Sequence, residues 1–165
     1  MTTNHPQTNK TVEVAQRTGI RPIDSSDYER VSELISRCLT QVNIRDYGQE
    51  HIAKMLPTFA SSNLADWFKG AEPFVVVSAG ELVATGTLRD HEIQTVFVDP
   101  SKHGMGYGKL LMKYLEDIAK SRGIAEITLR SSLTSKAFYE SLHYQAQGNT
   151  YGAVGGQMIL MTKKL

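Results

Sequence analysis

Along the first 70 residues apolar positions recur at helical spacing, and from Phe74 onward they become strand-like runs broken by turns. Tyr28, Val31, Leu34, Ile35 and Leu39 fall on one stripe behind a cap at Asp24 or Ser25, which predicts a helix ending near 38–41. A short strand over 20–23 precedes it. Two more helical pieces, about 49–59 and 62–68, should turn Trp67 and Phe68 inward. After them, 74–77, a Ser-Ala-Gly-Glu turn and 82–88 read as a hairpin, and a second turn at 89–91 leads into 92–98, which Pro100 stops. The next helix, 109–122, carries Leu111, Leu115 and Ile118 on one face, a Glu116–Lys120 pair on the other, and Gly123 as its stop. A strand over 124–130, a short helix over 134–142 and a strand pair near 144–147 and 158–164 complete the chain. Gly152, Gly155 and Gly156 mark the loop between the last two strands.

This order argues for a single α/β domain over 19–165, preceded by a polar, flexible segment over 1–18. The chain has 165 residues, 41% of them hydrophobic, enough to bury a substantial core. Eighteen Lys and Arg against 17 Asp and Glu leave a net charge of +1, so neither a basic surface for nucleic acid nor an acidic tail is expected. Cys38, the only cysteine, excludes an internal disulfide framework and fits a reducing compartment, where it reads as a buried apolar residue. No apolar run approaches the roughly 20 residues of a membrane span, and the first residues lack the apolar stretch of a secretory signal. A cytoplasmic protein, monomeric or homodimeric, with no nucleic-acid or membrane partner is expected.

The chemistry concentrates between residues 99 and 112, where Gly104, Gly106 and Gly108 separate a β-branched run from an amphipathic helix. Glycines let the backbone turn its N–H groups toward one point, where a helix start adds its free donors and positive dipole end; such a turn suits pyrophosphate. The dinucleotide fingerprint G-x-G-x-x-G fails in both registers, because Lys109 or Leu111 stands at its third glycine. The triphosphate loop fails too, with His103 at its first glycine and Leu110 at its metal-binding hydroxyl.

The pattern [QR]-x-x-G-x-[GA] fits, as His103-Gly104-Met105-Gly106-Tyr107-Gly108, followed by Lys109 and preceded by Val96-Phe97-Val98. This resembles motif A of the GNAT superfamily of N-acetyltransferases, and Ala137-Phe138-Tyr139-Glu140-Ser141-Leu142-His143-Tyr144 resembles the family's motif B. The resemblance covers the chain from about residue 19. It departs at His103, where the family has Arg or Gln, at Thr134, where relatives often carry Asn, and at His143, which replaces a glycine. An imidazole still donates a hydrogen bond, so His103 could alter affinity or its pH dependence. Thr134 can cap the motif B helix.

The resemblance implies an α/β fold with a mixed, mostly antiparallel central sheet, splayed between strands 4 and 5 and flanked by helices on both faces. It implies acetyl-CoA as cosubstrate and no metal. Pyrophosphate would lie on His103–Lys109 and the pantetheine arm along the backbone of Val96, Phe97 and Val98, with Thr134 beside it. Tyr139 would protonate the departing sulfur, a backbone N–H near Val98 would receive the oxyanion, and Glu92 is the candidate general base, with His91 a second. Asn43, Asp46 and Tyr47 could meet the acceptor, a small-molecule or peptide amine whose identity stays open. Direct attack on the thioester needs no covalent enzyme intermediate. A non-catalytic acyl-CoA-binding module is the alternative.

Overall fold

The computed structural model describes residues 17–165; the segment expected to be flexible lies outside them except for its last two residues. Its elements are β1 (Thr18–Pro22), α1 (Tyr28–Cys38), α2 (Ile44–Met55), α3 (Leu64–Trp67), β2 (Glu72–Ser78), β3 (Glu81–Arg89), β4 (Glu92–Val98), α4 (Tyr107–Ser121), β5 (Glu126–Ser131), α5 (Lys136–Ser141), β6 (Gln145–Tyr151) and β7 (Gln157–Lys164). The two tight turns at Ala79-Gly80 and Asp90 make β2, β3 and β4 an antiparallel meander. A parallel neighbour then requires a crossover, which α4 supplies, and β5 pairs parallel with β4. The seven strands run β1-β2-β3-β4-β5-β7-β6.

The β4–β5 pairing spans two positions, Glu92↔Thr128 and Ile93↔Leu129, after which the strands part. The cause lies in β4. Its register against β3 shifts between Gln94 and Phe97, and Thr95 adopts φ 53°, a bulge that bends the strand away from β5. The Thr95 hydroxyl receives the Trp67 indole N–H at 3.1 Å, which ties the bulge to α3.

Asp24 caps the turn before α1 in a capping box with Asp27, and Arg21 grips the buried Asp27 through two bonds of 2.6 and 2.8 Å. The expected helix end near 38–41 is instead a wide π-helical turn, Leu39–Asn43, that runs on into α2. No glycine stops the chain there. Gly48, at φ 74° and ψ 165°, interrupts α2 just before the start expected at 49. α4 begins at Tyr107, two residues before the expected start, because Gly106 in the left-handed region serves as its N-cap.

The sheet carries a core on each face. α4 covers one with Leu111, Met112, Leu115 and Ala119, and α1 to α3 cover the other with Val31, Leu34, Ile35 and Leu64. Glu116 differs from the exposed Glu116–Lys120 pair expected: it is buried, and it accepts from the Tyr144 hydroxyl at 2.9 Å and from Lys163 Nζ at 2.8 Å. A residue on the flank of the apolar stripe meets the far half of the sheet, where two donors outweigh one exposed lysine.

α4 lies close to β3 because Gly86 has no side chain; a Cβ there would sit 3.0 Å from Leu111 Cδ2 and 3.2 Å from Leu115 Cδ1. Gly86→Val is expected to cost about 1–3 kcal/mol by overpacking this contact. Urea unfolding monitored by circular dichroism measures the loss.

Candidate active site

Where β4 and β5 part, a cavity of about 250 Å³ opens through the sheet. Side-chain alternation distributes its walls. Ile93, Ile127 and Leu129 join the α4 core, so Glu92 and Gln94 on β4 and Arg130 on β5 turn toward the α1–α3 face. The backbone of β4 supplies the edge. Asp99 N–H donates to Val83 O at 2.9 Å, so by antiparallel alternation the peptide groups of Val98, which pairs with Ala84, turn away from β3 into the opening. The Val98 carbonyl already receives the Cys38 thiol at 3.2 Å and lies 2.9 Å from His103 Nε2, leaving its N–H for another partner. Burial and the Asp99 charge push the Cys38 thiol up to about 12, so it stays protonated as that donor.

The glycine turn follows His103, which lines the cavity, although Gly104–Lys109 do not. Gly104 and Gly106 have φ of 76° and 89°, and a Cβ on either would meet no protein atom within 4 Å. The space beside these two glycines is therefore clear of protein, and the first N–H groups of α4 have no partner within the helix, so the backbone fits a pyrophosphate. The residues between do different work. Tyr107 is buried and donates its hydroxyl to Ser78 Oγ at 3.0 Å, so it contributes only backbone to the turn. Gly108 is a packing glycine, whose Cβ would come 3.0 Å from Phe138 Cζ. Met105 and Lys109 are exposed beside it. His103, after the turn that follows β4, folds back so that its Nε2 lies 2.9 Å from the Val98 carbonyl at the end of that strand.

Asp99 anchors this corner. It accepts from Ser101 N–H and hydroxyl at 2.9 and 2.7 Å and from Arg37 Nη2 at 2.7 Å, joining α1 to the start of the turn. Burial opposes its charge, but these bonds win and hold its carboxyl below the ordinary value; Arg21 does the same for Asp27. A depressed carboxyl pKa stabilises the fold at pH above the unfolded-state value, near 3.9, and the gain disappears as pH falls through the folded-state value. Thermal melts are expected to show constant stability from pH 7 to 5 and a fall below about pH 4, smaller in the Asp27→Asn variant.

Tyr139, on α5, is buried and lines the cavity from the α4 face, with its ring edge-on to Phe138 and Tyr144 at centroid distances of 5.1 and 5.9 Å. Burial alone pushes its phenol well above the ordinary value, and it stays protonated at neutral pH. Glu92 lines the same cavity from the α1–α3 face and faces Arg130 Nε at 3.5 Å. His91 is exposed at the turn and does not line the cavity.

Asn43 and Tyr47 line the cavity from the α1–α2 junction, and Tyr47 stacks against His51 with centroids 5.3 Å apart. Burial pushes the Tyr47 phenol up to about 12, and its hydroxyl has no partner among the described residues. Asp46 is occupied: it accepts the Thr134 N–H at 3.0 Å and the Thr134 hydroxyl at 2.5 Å. Thr134 therefore staples α2 to the turn before α5 and does not cap that helix, whose N-cap is Ser135. Sequence reasoning missed Arg130, His51 and Trp67 in the cavity wall. Strand alternation beside Glu92 could have flagged Arg130, whereas the other two are placed by the bent path of α1 to α3.

A mixed sheet parted at the parallel β4–β5 pair, with a glycine turn at the helix that joins the two strands, is a fold shared with solved GCN5-related N-acetyltransferases. Residues 43–165 match the family model of the acetyltransferase (GNAT) domain, and the chain belongs to that family. Over 54 residues it is 44% identical to glucosamine 6-phosphate N-acetyltransferase of Trypanosoma brucei brucei, a match covering 33% of this chain and 37% of that one. A GCN5-related N-acetyltransferase from Rhodopseudomonas palustris superposes with a TM-score of 0.83 at 21% identity, covering 89% of this chain and 95% of that one. PaiA N-acetyltransferase from Thermoplasma acidophilum, solved with coenzyme A, gives 0.78 at 18% identity over 90% and 99%. At such identities the likeness is one of fold. Among the described residues no helix is long and apolar enough to cross a membrane.

Proposed function

We propose that the protein transfers the acetyl group of acetyl-CoA to a primary amine by direct attack, with residues 19–165 as one catalytic domain acting in the cytoplasm as a monomer or homodimer. One observation carries this reading: Tyr139 and Glu92 line a single cavity from opposite faces of the parted sheet, and His103, the residue before the glycine turn, lines it too. Bound acetyl-CoA supplies a thioester there. The N–H groups of Gly104–Lys109 hold its pyrophosphate, the exposed Lys109 adds charge, and Val96 and Val98 align its arm by their backbone. Amine acceptance is supported by relatives such as the glucosamine 6-phosphate N-acetyltransferase.

An alkylammonium with a reference pKa near 10.4 costs about 4.6 kcal/mol to neutralise at pH 7. Glu92 accepts that proton directly or through water, Asn43 and Tyr47 position the amine, and Asp46 acts through Thr134 by holding α2 against the α5 turn. The nitrogen lone pair forms the new C–N bond while the Val98 N–H donates a hydrogen bond to the carbonyl oxygen; as the C–S bond breaks, Tyr139 hydrogen-bonds the sulfur and the second nitrogen proton passes through water to the thiolate, the first leaving Glu92 for solvent. The products are an amide and free CoA.

Thiol release from acetyl-CoA over a panel of primary amines tests this. The expected result is release that requires an amine and matches the acetylated product mole for mole by mass spectrometry, with the protein's own mass unchanged. Tight acetyl-CoA binding without release for any amine would mean the alternative, an acyl-CoA-binding module.

A further inference from the structure

The acceptor side of the cavity is defined by what it lacks. Among the described residues that line it, Glu92 and Arg130 are the only Asp, Glu, Lys or Arg, and they face each other at 3.5 Å. A second ammonium on the acceptor would find no further carboxylate, and a phosphate would find one guanidinium already offset by Glu92, with the His51 and His103 imidazoles as its remaining ionisable nitrogen partners. With Arg130 two-fifths exposed the penalty on a further charge is reduced by solvent, and what disfavours it is the scarcity of charged partners in the wall.

The remaining wall is aromatic. Phe59 meets Trp67 edge-on at 4.9 Å and Phe97 at 6.0 Å, with Val42 and Met55 alongside. Trp67 has its N–H engaged by Thr95, so it offers the cavity an apolar ring. Space is short as well, because about 250 Å³ must also admit the acetyl-bearing arm.

Resting on the acetyl-transfer reading above, we propose that the acceptor is a compact primary monoamine with an aromatic or branched apolar body, carrying neither phosphate nor a second cation. The amine nitrogen lies toward Glu92 and the apolar body lies among Phe59, Trp67 and Phe97.

Three probes separate the classes: 2-phenylethylamine, glucosamine 6-phosphate and spermidine. The expected kcat/KM for 2-phenylethylamine exceeds the other two by about 10- to 100-fold, and calorimetry on the CoA-bound protein detects binding of 2-phenylethylamine alone. A higher kcat/KM for glucosamine 6-phosphate or spermidine overturns the inference while leaving acetyl transfer intact. Met55→Glu, which puts a carboxylate into the apolar wall, should shift the ratio at least about 10-fold toward spermidine with acetyl-CoA affinity unchanged. An unmoved ratio with that affinity retained contradicts the assignment of this wall to the acceptor. If acetyl-CoA binds and no amine releases thiol, the acetyl-transfer reading falls and this inference falls with it.

Discussion

Tyr139→Phe is expected to lower kcat by about 10²- to 10⁴-fold, the usual contribution of a positioned general acid. The change keeps the ring that packs edge-on against Phe138 and Tyr144 and removes only the hydroxyl. Acetyl-CoA affinity and melting temperature should therefore stay near wild type, which separates a catalytic loss from a folding one. Burial makes this acid a reluctant one. Its phenol lies above the ordinary value of 10 while a free thiol titrates near 8.5, so complete transfer to sulfur is uphill. Under the proposed role, Tyr139 therefore acts late, as a hydrogen-bond donor to the charge that develops when the C–S bond breaks. The acid must be protonated to work and its pKa is raised, so kcat should show no alkaline loss below about pH 10. Normal turnover by Tyr139→Phe would remove Tyr139 from the mechanism.

Gly106→Val should act on the cofactor. Gly106 holds φ 89°, a conformation costly for a branched residue, and it begins α4. A Cβ there meets no protein atom within 4 Å, so the added methyls project into the space assigned to pyrophosphate. Acetyl-CoA affinity measured by calorimetry should fall about 10- to 100-fold, equivalent to about 1.4–2.8 kcal/mol. Backbone strain of about 1–2 kcal/mol should lower the melting temperature by only a few degrees. Unchanged affinity would place the phosphates elsewhere.

The parts of this site that were legible in the sequence are the ones made by neighbours in the chain. Gly104 and Gly106 mark a turn because only local backbone freedom is needed, and the stripe through Leu111 and Leu115 identifies α4 by its period. Contacts across the chain were not legible. Asp46 lies 88 residues from Thr134, so nothing local distinguishes its staple from a free surface carboxylate. Thr95 adopts a positive φ without being glycine, held by a bond to Trp67 28 residues away, and that bulge is what bends β4 from β5. Glu116 looked like half of an exposed i,i+4 pair, but Tyr144 and Lys163 approach it only once the far sheet is in place. The opening itself could be inferred only through family resemblance, since parting of strands is a property of their pairing and not of either sequence alone.

The most direct measurement is a crystal structure of the protein with coenzyme A. Pyrophosphate is expected over Gly104–Lys109, the pantetheine arm along the Val96–Val98 edge between β4 and β5, and the sulfur about 3–4 Å from the Tyr139 hydroxyl. Coenzyme A bound outside the β4–β5 opening, or with its sulfur out of reach of Tyr139 both directly and through one water, would contradict the proposed mechanism.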